Sequence, residues 1–155
     1  MRFSKIPGLE DEKKILVNSY NSNTIHHAML FIGNKGSANL SLALAFSTYI
    51  NCQNKTDDSC GQCSSCSKMD KLIHPDVNFV FPVAPTTKIN KEVISDKFIE
   101  SWRSSVIESP YLSVEDWFEI YGFENKQPNI SKDEVRNLIK KLSLKPFESN
   151  FKINI

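Results

Sequence analysis

The sequence predicts an α/β fold in three layers, α/β/α, with a parallel sheet, a small metal-binding insertion and a longer helical insertion. Three observations carry that expectation. An apolar run, Ala28-Met29-Leu30-Phe31-Ile32, turns through Gly33-Asn34-Lys35-Gly36-Ser37 into a helical pattern of Leu40, Ala43, Leu44 and Ala45. Strand, glycine loop and helix in that order is the layout of a phosphate-binding loop, so the fold expected is P-loop NTPase-like. Residues 77–81 and 151–155 alternate apolar and polar positions as strands do, with helical patterns between them. Directly after the glycine-loop helix come Cys52, Cys60, Cys63 and Cys66, spaced as metal ligands.

Taken in order, residues 9–20 form an amphipathic helix, with Glu10, Asp11 and Glu12 in the first turn, where the helix dipole favours acids. The Asn21-Ser22-Asn23 cluster ends it. His26 and His27 lead into the first strand and read as strand-entry residues rather than ligands or bases. Residues 38–51 form the helix after the loop and should pack on a sheet. Residues 51–67 are polar and short of apolar side chains, so a metal is what would order them. A short helical stretch to Ile73 is followed by the His74-Pro75-Asp76 turn and the strand at 77–81.

The chain changes character at about residues 82–129, which hold both tryptophans and several prolines but no chemistry motif, and is read there as an insertion. Val93, Ile94, Phe98 and Trp102 predict a helix over 91–105, and Ser113-Val114-Glu115-Asp116 resembles a capping box opening another. The aromatics are expected to dock the insertion onto the main body; a partner-binding patch is the alternative. Ser131-Lys132-Asp133-Glu134 is the better capping box, with Val135, Leu138, Ile139 and Leu142 following on one helix face and Pro146 blocking continuation.

A chain of 155 residues is one domain's worth and can bury a core without cross-links. Nineteen Lys and Arg against 18 Asp and Glu give no argument for a strongly basic nucleic-acid surface. No window approaches the ~20 apolar residues of a membrane helix, and the first residues lack a signal-peptide core. A cytoplasmic, soluble protein is expected. Clustered cysteines suit one metal site in a reducing compartment better than distributed disulfides.

The glycine loop retains its shape and not its chemistry. A working loop is Gly-x-x-x-x-Gly-Lys-Ser/Thr, with the lysine neutralising phosphates and the hydroxyl holding magnesium. With the first glycine on Gly33, Ala38 falls at the second glycine, Asn39 at the lysine and Leu40 at the hydroxyl. A neutral amide does not replace an ammonium, and leucine ligates no metal. Lys35, inside the loop, and the amides near Gly36 are left as a vestigial anion site. Nor do acidic residues follow the strand at 151–155, so no ATPase site is expected and ATP is not an expected cofactor.

The cysteines point to a structural site. Cys60, Cys63 and Cys66, with two residues between each pair, wrap one ion, and Cys52 returns from the helix end to complete a tetrahedron. Zinc is the expected ion. An iron–sulfur cluster is the rival, weakened because the usual cysteine followed by proline is missing; a redox pair has no thioredoxin-like setting. His74 is the substitute ligand should Cys52 not bind.

These residues carry a resemblance. His27-Ala28-Met29-Leu30-Phe31-Ile32-Gly33 with Gly36, then Cys52, Cys60-Gly61-Gln62-Cys63-Ser64-Ser65-Cys66, then His74-Pro75-Asp76-Val77, and Ile130 with Asp133-Glu134-Val135-Arg136, resemble the N-terminal part of bacterial DNA polymerase III clamp-loader subunits. The resemblance excludes residues 82–129. It implies that residues 1–155 are the N-terminal portion of an AAA+ domain, with structural zinc on Cys52, Cys60, Cys63 and Cys66. Within the family, gamma/tau subunits keep a working ATP loop, whereas delta prime subunits commonly have a degenerate one; Asn39 and Leu40 place the chain with the latter. It further implies partners: the delta and gamma/tau subunits directly, the sliding clamp and primer-template DNA indirectly. The family's arginine finger would lie beyond Ile155. In the usual AAA+ strand order the first strand borders a fourth that these residues do not reach, so abnormal pairing or an edge-mediated homodimer is expected. An ATP-hydrolysing motor of the gamma/tau type and a stand-alone zinc-binding module are the alternatives.

Overall fold

The computed structural model describes residues 1–123 and 125–155. They form two compact units, Met1–His74 and Pro75–Ile155.

In the first unit, α1 (Glu10–Asn21) starts with its three acids in the first turn, as expected. The next helix, α2 (Asn39–Asn51), is apolar nearly all round and is correspondingly buried, with Leu44, Ala45, Phe46 and Tyr49 inside. Phe3, Ile6, Leu16, Leu42, Ala45, Phe46 and Tyr49 make the core, with the Tyr20 ring edge-on to Tyr49 at 5.4 Å. Lys55 Nζ sits 4.2 Å over the Tyr20 ring and donates to the Ile50 carbonyl at 3.0 Å, closing the chain back after α2. A short helix, α3 (Ser64–Asp70), buries Cys66 and Met69.

The first strand expected, at residues 28–32, is not formed: the segment is irregular, with Leu30 and Ile32 each 84% exposed. The run is apolar as expected, but a strand exists only with a neighbour to share its backbone hydrogen bonds, and the described residues of Met1–His74 form no strand. Within this unit α2 packs on α1, α3 and the turn at Phe3–Lys5, where the sequence predicts a sheet. His26 and His27 are exposed.

The second unit contains a two-stranded parallel sheet, β1 (Val77–Asn78) beside β2 (Ile153–Asn154), with Val77 opposite Ile153 and Asn78 opposite Asn154. The pairing runs on to Val80, whose N–H reaches the Ile155 carbonyl at 2.8 Å. Both strands are shorter than the alternation suggested. Asp76 anchors the return chain: its carboxylate accepts the N–H groups of Phe147 (2.5 Å), Glu148 (2.8 Å) and Ser149 (2.9 Å). Those donors outweigh the burial that raises its pKa and hold it below the ordinary carboxylate value.

The helix expected over 91–105 begins later and runs further, as a 3-10 turn Ser95–Phe98 leading into α4 (Ile99–Glu108). Glu92 at φ +46° and extended backbone at Ile94 bar helix before Ser95. Helix α5 (Val114–Tyr121) opens on a complete capping box, Ser113 accepting from Asp116 N–H and Asp116 accepting from Ser113 N–H, and closes on Gly122 at φ +77°. The box read as the better one is only half made. Ser131 accepts from the Glu134 N–H at the start of α6 (Lys132–Leu142), but the Glu134 carboxylate turns away, fully buried, to the Ser95 N–H and to Ser95 Oγ (2.8 Å). It caps the neighbouring 3-10 turn instead of its own helix.

The aromatics of residues 82–129 pack on the end of the segment at 77–82, within the second unit. Trp102 stacks on Phe81 at 4.9 Å and 4° and lies 4.6 Å from Phe79, while Trp117 meets Phe81 edge-on and donates its indole N–H to the Pro82 carbonyl at 3.0 Å. Phe98 and Phe123 complete a buried cluster.

Candidate metal centre

The four cysteines arrive from two helix ends and the turn between them. Cys52 is the residue at which α2 stops: its backbone is extended (ψ 131°), which swings the chain out of the helix. Cys63 caps the N-terminus of α3, its sulfur accepting from the Cys66 N–H at 3.4 Å, and Cys66 lies one turn further on. Between Cys60 and Cys63 the chain reverses at Gly61, φ +71°, a left-handed position that favours glycine. That reversal aims the N–H groups of Gln62 (3.4 Å) and Cys63 (3.3 Å) at Cys60 Sγ, while the Cys60 N–H points to Cys52 Sγ at 3.2 Å.

All four sulfurs lie within 4.8 Å of one another, and Cys60 and Cys66 approach to 3.9 Å. A tetrahedral ion with Zn–S bonds of about 2.3 Å sets its sulfurs ~3.8 Å apart, so the residues fit one such ion. An iron–sulfur cluster spreads its cysteines by its own width and fits a set this tight less well. All four thiols are free of disulfides. Cys52 and Cys66 are buried and their thiols pushed up by that burial. The N–H groups of Gln62 and Cys63 bring Cys60 down to about 6. At Cys63 burial raises the thiol, and the N–H groups of Cys66 and Gln53 outweigh it. Backbone dipoles thus favour thiolate on the open side of the cluster. His74, the substitute ligand considered from the sequence, is buried but lies outside the sulfur cluster.

The glycine loop is placed as a turn, with the Ser37 N–H bonded to the Asn34 carbonyl at 2.9 Å and Gly36 at φ +75°. Gly33, Lys35 and Gly36 are exposed; Asn39 and Leu40 are half-buried in the first turn of α2. Ser37 Oγ donates to Asn39 Oδ1 at 2.8 Å, and a Cβ on Gly33 would come within 2.0 Å of that hydroxyl. Ser37 therefore closes over the loop, a role the sequence reading missed for want of any motif at that position. The segment before it, with Glu12 and Ile15 of α1 and Leu42 of α2, lines an apolar cleft of ≈660 Å³.

Sequence reasoning also passed over Arg2 and Asp58. Neither belongs to a spaced motif, and both act across some 55 residues of chain.

A family model described as DNA polymerase III, delta subunit, matches residues 8–155. The chain is 35% identical over 77 residues to DNA polymerase III subunit delta' of Escherichia coli, covering 49% of this chain and 23% of that protein. It is 33% identical over 69 residues to subunit delta' of Bacillus subtilis, covering 44% and 21% respectively. To subunit gamma/tau of Mycoplasma pneumoniae it is 30% identical over 89 residues, 57% of this chain and 13% of the relative. The chain thus spans less than a quarter of the length of these relatives. With nearly its whole length matched, it belongs to the family described as DNA polymerase III, delta subunit, the clamp-loader group its motifs resemble.

Proposed function

We propose that the chain is part of a non-catalytic clamp-loader subunit of the delta prime type, an AAA+ scaffold within the DNA polymerase III holoenzyme. On this reading residues 1–155 are the N-terminal portion of the AAA+ domain, with residues 51–67 its zinc module and about 82–129 a helical insertion. Its direct partners are the delta and gamma/tau subunits, and through them the sliding clamp and primer-template DNA. It works in the cytoplasm; among the described residues, no helix is long and apolar enough to cross a membrane.

One observation carries the delta prime assignment: Asn39 and Leu40 stand where a working loop needs lysine and a hydroxyl, and Ser37 occupies Asn39 by a hydrogen bond. The loop presents Gly33, Lys35 and Gly36 with no lysine at position 39 and no hydroxyl at position 40. The four cysteines hold zinc as a structural ion, with no open position for catalysis. Equilibrium binding of ATP with and without magnesium, alongside co-purification with delta and gamma/tau, tests this. The expected outcome is assembly with both subunits and no magnesium-dependent nucleotide affinity in the micromolar range.

A second reading, an ATP-hydrolysing subunit of the gamma/tau type, draws support from the Mycoplasma pneumoniae relative, which matches over 57% of this chain. Tight magnesium-dependent ATP binding would favour it. The apolar segment at 28–32, with Leu30 and Ile32 exposed, also supports self-association of this chain through that segment; sedimentation showing a monomer at all concentrations would remove that part of the proposal.

A further inference from the structure

The cysteine module carries a cation from outside its own sequence. Asp58, two residues before Cys60, accepts the N–H groups of Phe3 (3.1 Å) and Ser4 (2.9 Å), which open the 3-10 turn Phe3–Lys5, and also that of Ser59 (2.7 Å). Burial raises its carboxyl, but the Ser4, Ser59 and Phe3 donors outweigh it and hold the pKa below the ordinary value. This bond set brings Arg2 against the reversal at Gly61. Arg2 Nη1 donates to the Cys60 carbonyl at 3.4 Å, and Nη2 to Ser4 Oγ at 3.2 Å. Its Nε is buried with no hydrogen-bond partner among the described residues. The guanidinium fills the space a side chain at Gly61 would take: a Cβ there would lie 2.8 Å from Nη1 and 3.1 Å from Arg2 Cδ.

Resting on the reading that the four cysteines hold a metal, we propose that Arg2 is a positioning residue for that centre. It is a fixed counter-charge on the Cys60-Gly61 reversal that ties metal loading to docking of residues 2–5. Four thiolates on a divalent ion leave a net double negative charge in a partly buried place, and a cation bonded to the carbonyl of one of the four cysteines offsets it. A guanidinium suits the position because its planar fork bonds the Cys60 carbonyl and Ser4 together, whereas an ammonium supplies the charge without the fork. Outer-shell partners of metal ligands are typically worth 10- to 100-fold in affinity. The linkage runs both ways: whatever Arg2 adds to metal affinity, metal adds to docking of the N-terminal turn.

The experiment titrates the metal-free chain with cobalt(II), read by thiolate-to-cobalt charge transfer, and then with zinc in competition with a chelator. It uses wild type, Arg2→Gln and Arg2→Lys, with circular dichroism of each metal-free protein to establish equal folding. Wild type is expected to bind, Arg2→Gln to lose about tenfold or more with the tetrahedral cobalt spectrum kept, and Arg2→Lys to recover part of the loss. Amide exchange at Phe3 and Ser4 should slow on metal loading in wild type and much less in Arg2→Gln. Affinity of Arg2→Gln within about twofold of wild type, or Arg2→Lys no better than Arg2→Gln, overturns the role of Arg2 while leaving the metal site standing. Wild type that takes up neither cobalt nor zinc overturns the metal reading itself.

Discussion

The cysteine module of the first unit and the aromatic cluster of the second both order irregular chain, and they do it by opposite means. Around Cys52 and Cys60 the backbone N–H groups point at sulfur, and few apolar side chains are present to pack. Between Phe79 and Phe123 the chain is pinned by ring against ring, Trp102 on Phe81 and Trp117 edge-on to it. On the proposed reading that the cysteines hold zinc, order that depends on one ion is lost as a whole when the ion goes. Order spread over many rings is lost in increments.

Removing metal should break the comparison most visibly. Structural zinc contributes apparent binding energies of about 10 to 16 kcal/mol in small peptides, so if the cysteines hold zinc as proposed, chelation or Cys66→Ser is expected to unfold residues 51–67. The four thiols after chelation, or the remaining three in Cys66→Ser, then become fully reactive. Both tryptophans lie in the second unit, so their emission should hardly change; an equal loss on both probes would mean that the two regions do not differ in this way. Next in size, Trp102→Ala should cost about 3 to 5 kcal/mol in denaturant unfolding followed by circular dichroism, with cobalt binding unaffected. Glu134→Ala strands the Ser95 N–H and should cost roughly 2 kcal/mol by the same measurement.

Acid acts on the second unit through Asp76. Asp76 has its pKa lowered in the folded chain, so the stability it contributes is present above the ordinary value of 3.8 and is lost as pH falls through the lower folded value. Unfolding followed by tryptophan emission should therefore show a fall below about pH 4 that Asp76→Asn makes shallower. The smallest effect is expected of Ser113→Ala, about 1 kcal/mol from loss of the cap on α5.

What the sequence disclosed follows the range of the interactions involved. Local signals were legible: the acids of α1, the capping box at Ser113, and the cysteine spacing that becomes a set of sulfurs within 4.8 Å. Pairings across the chain were not. Residues 28–32 have the composition of a strand, but whether they form one depends on a neighbour that their own sequence does not specify. Glu134 sits at the right place for a capping box, and a stronger claim from Ser95, 39 residues away, draws it off. Arg2 and Asp58 belong to no motif at all, and their role emerges only when the fold brings them together with Cys60 and the N-terminal turn.

Helix α6 holds Val135, Ile139 and Leu142 on one side, all exposed, and Leu30 and Ile32 are more exposed still. Aliphatic surface left wet in this way makes the molecule answer to its solvent. Sulfate, which strengthens the drive to hide such groups, should bring copies of the chain together before it perturbs either core, and dilution in low salt should part them again.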